Sequence, residues 1–170
     1  KMSGKYYAKG ENKEIFNKKI YNQIHSKFNK MEAFNQKKSD DFKRARDENL
    51  EDKYFYTRDK IYSYKTMEAY KENVIKACEE ITKMYPDKKF KDINQFQRYV
   101  PSYIEKLKND GKSAWTIHAY TSALSKLYGK TNDSWGVELP SRNRDNITRN
   151  RNTAKDNKRF SERLNPEVVM

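Results

Sequence analysis

The sequence predicts an all-α protein: a small helical bundle, preceded by a helical hairpin and followed by a basic extended connector. Three observations carry this expectation. Apolar residues recur at spacings of three and four, the pattern of one-sided helices. Capping and stopping residues stand where those patterns begin and end. No alternation of apolar and polar residues marks a strand or hairpin in the middle of the chain. Composition sets the scale. Only 35% of the 170 residues are hydrophobic and 36% are charged, so no large core can form. Yet 14% are aromatic, with 13 Tyr and 8 Phe, and disordered chains are poor in aromatics. The expected division is a hairpin over 1–58 whose first ten residues are disordered, a bundle over 59–140 and a connector over 141–170.

In the hairpin, Ile20, Ile24, Phe28, Met31 and Phe34 define one face of a long first helix. Ser39, with Asp40 and Asp41 behind it, is placed to start a second helix through Phe42, Ala45 and Leu50. A side-chain oxygen there would cap free N–H groups, and acids suit a helix start. The bundle then reads as three helices. The first runs from about Thr66 to Met84, with Met67, Tyr70, Val74, Cys78 and Ile81 inward. Glu72 with Lys76, and Glu79 with Lys83, are spaced as outer ion pairs, and Pro86 stops the helix. The second opens on Asp92 with Gln95 three residues on, a capping-box spacing. It turns Ile93, Phe96, Val100, Tyr103, Ile104 and Leu107 inward. Pro101 interrupts the pattern and predicts a break near Val100, and Gly111 suits the left-handed position after the helix. The third helix begins after Ser113 and ends near Gly129, with Ile117, Tyr120, Leu124, Leu127 and Tyr128 on one face. Trp115, Ser122 and Lys126 fall on the opposite face.

Charge points to partners rather than to fold. The formal net charge is +13, and from Gly111 to Asn132 there is no acidic residue, while Lys112, Lys126 and Lys130 are present. Nucleic acid, an anionic surface or an acidic protein would answer such a balance. Membrane is disfavoured, because no apolar run approaches the length of a spanning helix. Cys78 is the single cysteine and His25 and His118 the only histidines, so neither an intramolecular disulfide nor a Cys- or His-rich metal site is expected. A reducing cytoplasm fits. The abundance of Lys, Asn, Tyr and Ile resembles proteins of AT-rich bacterial genomes. No cofactor and no small-molecule substrate are expected.

The stretch Gly111-Lys-Ser-Ala-Trp-Thr-Ile-His-Ala-Tyr-Thr-Ser-Ala-Leu-Ser-Lys-Leu-Tyr-Gly129 resembles the last helices of the core-binding domain of tyrosine recombinases, the phage and mobile-element integrases. There a G-x-S-x-x-T-I start precedes an A-L-x-x-L/F-Y finish. Ser63, Thr66 and Tyr70 resemble the opening of that domain's first helix. Leu139-Pro-Ser-Arg-Asn-Arg-Asp-Asn-Ile-Thr-Arg-Asn-Arg151 resembles the basic connector to the catalytic half in some integrases of Gram-positive elements. The resemblance covers roughly residues 60–152. It implies a bundle forming half of a clamp on duplex DNA, with the third helix in or along the major groove and self-association on DNA as a further expectation. The family's catalytic half, with its arginines, His/Lys set and nucleophilic tyrosine, has no counterpart here. It is expected either beyond Met170 or lost, so this chain is read as carrying no catalytic residue.

The expected DNA contacts are Lys112, Ser113, Trp115, Thr116, Ser122, Lys126, Arg142, Arg144, Arg149 and Arg151. Each has a plainer reading. The arginines either run along phosphates, which their planar forks suit, or belong to a solvated linker. Trp115 either stacks against the backbone or docks on the preceding helix. Lys112, Ser113 and Thr116 either hold a phosphate at a helix N-terminus or Ser113 is simply a cap. His118 reads as a surface residue and Cys78 as inert packing. Two other functions fit the same pattern: the front half of a relaxase-like protein of a conjugative element, and a helical module, such as a small phage-encoded inhibitor, that binds an acidic protein. Phosphate binding depends more steeply on salt than protein binding does.

Overall fold

The structure, a computed structural model, describes residues 17–142, all-helical apart from one isolated backbone bridge. The expectation of disorder over the first ten residues lies outside them. Five α-helices follow one another: α1 (Lys18–Asn29), α2 (Lys38–Asp47), α3 (Tyr64–Met84), α4 (Val100–Asn109) and α5 (Ala114–Tyr128). A 3-10 segment, Ile93–Tyr99, leads into α4, and a 3-10 turn, Asn132–Trp135, follows α5.

Local chemistry explains most boundaries. Asn17 caps α1 by accepting from the Lys19 amide at 2.7 Å. Ser63 caps α3, which runs to Met84 ahead of Pro86. Asp92 and Gln95 form the expected capping box. The segment they open is a 3-10 helix, however, and the α-helix starts at Val100 with Pro101 in its first turn. Proline has no N–H to donate, and its fixed φ suits that position. Gly111, at φ +75°, takes the left-handed conformation after α4, and Gly129, at φ +65°, does so after α5.

Two expectations about the first 58 residues are corrected. The periodicity through Met31 and Phe34 does not extend the first helix, which ends at Asn29. Beyond it the backbone pairs with a distant strand-like residue: the Ile61 amide donates to the Met31 carbonyl and the Ala33 amide to the Ile61 carbonyl, each at 2.8 Å. Nor does Ser39 cap the second helix. α2 begins at Lys38 without a side-chain cap, and Leu50 lies past its end. Asp41 turns inward instead. It accepts from the Tyr62 hydroxyl at 2.6 Å and from Lys60 Nζ at 3.0 Å, bonds that hold its carboxyl below the usual range against the effect of burial.

The separate hairpin domain is corrected too. Ile20, Tyr21, Ile24 and Phe28 of α1 join the same apolar cluster as α3, α4 and α5. α2 offers only Asp41 and Ala45 to the interior, too little to cover α1's stripe, so α1 packs on the bundle. The centre is α5, packed against α3, α4 and α1. Val74, Cys78 and Ile81 from α3, and Phe96, Val100, Ile104, Leu124 and Leu127, are fully buried around it. Tyr70, Tyr120 and Tyr128 are only partly buried at the edge of this cluster. On the outside Lys76 stands 3.9 Å from Glu72, whereas Lys83 reaches Glu80 at 3.7 Å.

Candidate nucleic-acid interface

The two ends of α5 have different surroundings. At its start Ser113 Oγ accepts from the Thr116 amide at 3.2 Å and stands 3.0 Å from Thr116 Oγ1. Both hydroxyls are thus engaged in closing the first turn, the plainer of the two readings. Lys112 is exposed beside them, and Trp115 is 50% exposed, so it does not bury itself on the preceding helix.

The chain after α5 returns to this end. Trp135 anchors it in the core, and Val137 and Leu139 pack against the same cluster. Lys108 Nζ donates to the Glu138 carbonyl at 2.9 Å, and His118 Nε2 lies 2.9 Å from the Pro140 carbonyl. A carbonyl only accepts, so the His118 ring must carry its proton on Nε2. His118 is therefore a half-buried strap holding the chain, not a bare surface residue. The result sets the Arg142 guanidinium over the Trp115 ring, 5.2 Å from its centroid, in a cation–π contact. Lys112, Trp115 and Arg142 form an exposed group at the start of α5. Arg144, Arg149 and Arg151 lie outside the described residues.

At the far end the expectation of a free outer face is corrected. Ser122 is half-buried and accepts from Asn132 Nδ2 at 3.1 Å. Ser125 donates to Asn132 Oδ1 at 2.7 Å and accepts from Trp135 Nε1 at 2.8 Å. Lys126 donates to the Thr57 carbonyl at 3.0 Å. Burial, with Lys38 nearby, lowers its ammonium to about 8. The cause is non-local: the 3-10 turn and the loop before α3 both fold over this part of α5. Sequence reasoning missed Trp135 and Thr57. The signal for Trp135 was a large apolar residue closing a short polar run just after a helix-ending glycine.

Elsewhere the described residues hold no group of three or more His, Cys, Asp or Glu placed to bind a metal ion, and no helix long and apolar enough to cross a membrane. Cys78 is wholly buried, which pushes its thiol up and leaves it unreactive. No family model, curated protein or solved structure matches the chain.

Proposed function

We propose that this chain is a duplex-DNA-binding module of the tyrosine recombinase or integrase type, with no chemistry of its own. One observation supports it above others: in a chain of net charge +13, the central helix and its flanks, Gly111–Asn132, contain no acid. At the exposed start of that helix Lys112, Trp115 and Arg142 stand together. A flat duplex backbone is bound mainly through such cations, with counterion release supplying the affinity. The arginines that continue past Arg142 would extend the same contact along the phosphates, guanidinium forks matching phosphate oxygens.

The test is a salt titration of binding to duplex DNA. Non-specific affinity is expected on the order of 10⁻⁴ to 10⁻⁶ M at physiological salt, rising steeply as salt is lowered. Changing Arg142, Arg144, Arg149 and Arg151 together to Ala should flatten the salt slope by about one unit per lost phosphate contact. Affinity that holds constant from low to moderate salt would contradict the reading and favour an acidic-protein partner. Supercoiled plasmid should remain uncut, with or without Mg²⁺. A covalent adduct on any tyrosine would place a catalytic centre in this chain.

A further inference from the structure

The covered end of α5 is not simply packed; it borders a cleft. An open depression of about 440 Å³ is lined by Lys38, Arg58, Lys126 and Lys130, together with Tyr54 and Asp133. Four cations from three separate parts of the chain thus converge on one space that one carboxylate also lines. Folding has brought like charges together, and like charges in a partly desolvated space repel. Most of them have partners that answer the charge only in part. Arg58 is the exception, paired with the Asp52 carboxylate at 2.7 Å. Lys38 and Lys130 sit over the rings of Phe42 and Trp135, 5.8 and 5.7 Å from the centroids. Lys126 donates to the Thr57 carbonyl, which carries no formal charge, and the attraction of Asp59 is outweighed by burial and Lys38.

We infer that this cleft binds a phosphate group, with Lys126 as its inner ligand and Lys38, Arg58 and Lys130 around it. A tetrahedral oxyanion fits the chemistry. It accepts from several donors at once, and its negative charge relieves the repulsion among the four cations. Burial first, and then the charge of Lys38, lowers the Lys126 ammonium, and a bound anion would draw it back up. A phosphate could come from a nucleic-acid backbone or from a free phosphate compound. The inference does not rest on the duplex-DNA reading, because the cleft lies at the opposite end of α5 from Trp115 and Arg142.

The experiment follows the Lys126 ε-methylene resonance by NMR in the full chain, with inorganic phosphate in one arm and a short duplex oligonucleotide in the other. In the arm that supplies the ligand, the Lys126 resonance should shift saturably and its titration midpoint should rise. Lys126→Met, with binding then followed by the Lys130 ε-methylene resonance, should lower that affinity about tenfold or more, the loss expected for a charge-assisted contact. Should Lys126→Met not fold, the exposed pair Lys38→Ala with Lys130→Ala serves instead and should weaken binding in the same arm. A response to phosphate alone identifies a free-phosphate site, and holds even where DNA binding fails. A response to the oligonucleotide alone identifies the nucleic-acid backbone as the source. If DNA binds with full affinity while Lys126 is unmoved in both arms, the inference is overturned and the DNA reading stands. If neither ligand moves Lys126 and no DNA binds, both are overturned.

Discussion

The chain's two tryptophans sit near opposite ends of the same helix and play opposite parts. Trp135 is 7% exposed, inside the core cluster, with its indole N–H donating to Ser125 Oγ at 2.8 Å. Trp115 is 50% exposed, with the Arg142 guanidinium over its ring. One indole fastens the polypeptide after α5 to the bundle. The other is carried outward beside Arg142, at the end of a segment that Trp135, Lys108 and His118 hold against the bundle. Large aromatics left exposed beside cations are candidates for binding; large aromatics in the core are there for packing.

Truncation separates the two most strongly. Trp135→Ala should cost about 3–5 kcal/mol, the range for removing a buried aromatic. Trp115→Ala should change stability by no more than about 0.5 kcal/mol, as surface substitutions do. Urea unfolding of the two variants measures both. Equal costs would mean that the two ends of α5 are packed alike.

A smaller effect comes from the buried side. His25 Nε2 is buried without a hydrogen-bond partner, and burial, then the charge of Lys71, lowers its pKa to about 4 from 6.5. Above pH 6.5 the ring is neutral in both folded and unfolded chains, and its contribution is fully present. As pH falls below 6.5 the unfolded chain takes up the proton first, and stability is lost until pH reaches about 4. The loss should be about 1–2 kcal/mol, less than the full shift would give because the ring is only half-buried. His25→Leu should remove this component of the pH profile. Asp41 and Asp92, both held below the usual carboxylate range, lose their share only at still lower pH, so the two limbs can be told apart. A profile flat between pH 6.5 and 4.5 would show that His25 is solvated.

These effects also mark what could be read from the sequence. The caps at Asp92 and Ser113 and the stops at Pro86, Gly111 and Gly129 act within a few residues of themselves, and each stands where it was expected; the cap of α3, Ser63, stands just ahead of the expected start at Thr66. The inward face of α5 was legible for the same reason, because a helical wheel needs only the helix. What the wheel cannot supply is the identity of whatever covers the outward face. Ser122 and Lys126 were placed outward correctly relative to α5. They are half-buried because Asn132 and Thr57, from other parts of the chain, lie over them. The end of α1 was misjudged on similar grounds: Met31 keeps the helical spacing, but its carbonyl is taken by the Ile61 amide. Lys71 is a further case. It lies on the apolar side of α3, and its burial depends on Asn29 of α1, whose side-chain oxygen accepts from Nζ at 2.7 Å.

The smallest effect on stability carries the most on function. Arg142→Ala removes an exposed side chain from over an exposed ring and should leave the unfolding midpoint unchanged. It should nonetheless lower the salt slope of duplex binding by about one unit, one phosphate contact's share. A drop in stability with an unchanged slope would make Arg142 part of the strap rather than of the binding surface.

The central claim is that the start of α5 is the surface that meets DNA, and Trp115 itself can report on it. In a Trp135→Phe variant, Trp115 is the only remaining indole, and its fluorescence can be followed as duplex DNA is added at low and then moderate salt. The account predicts a saturable change in Trp115 emission that weakens steeply as salt rises, with the reciprocal Trp115→Phe variant showing little change from Trp135. DNA binding that leaves Trp115 emission untouched, or that alters Trp135 instead, would contradict it.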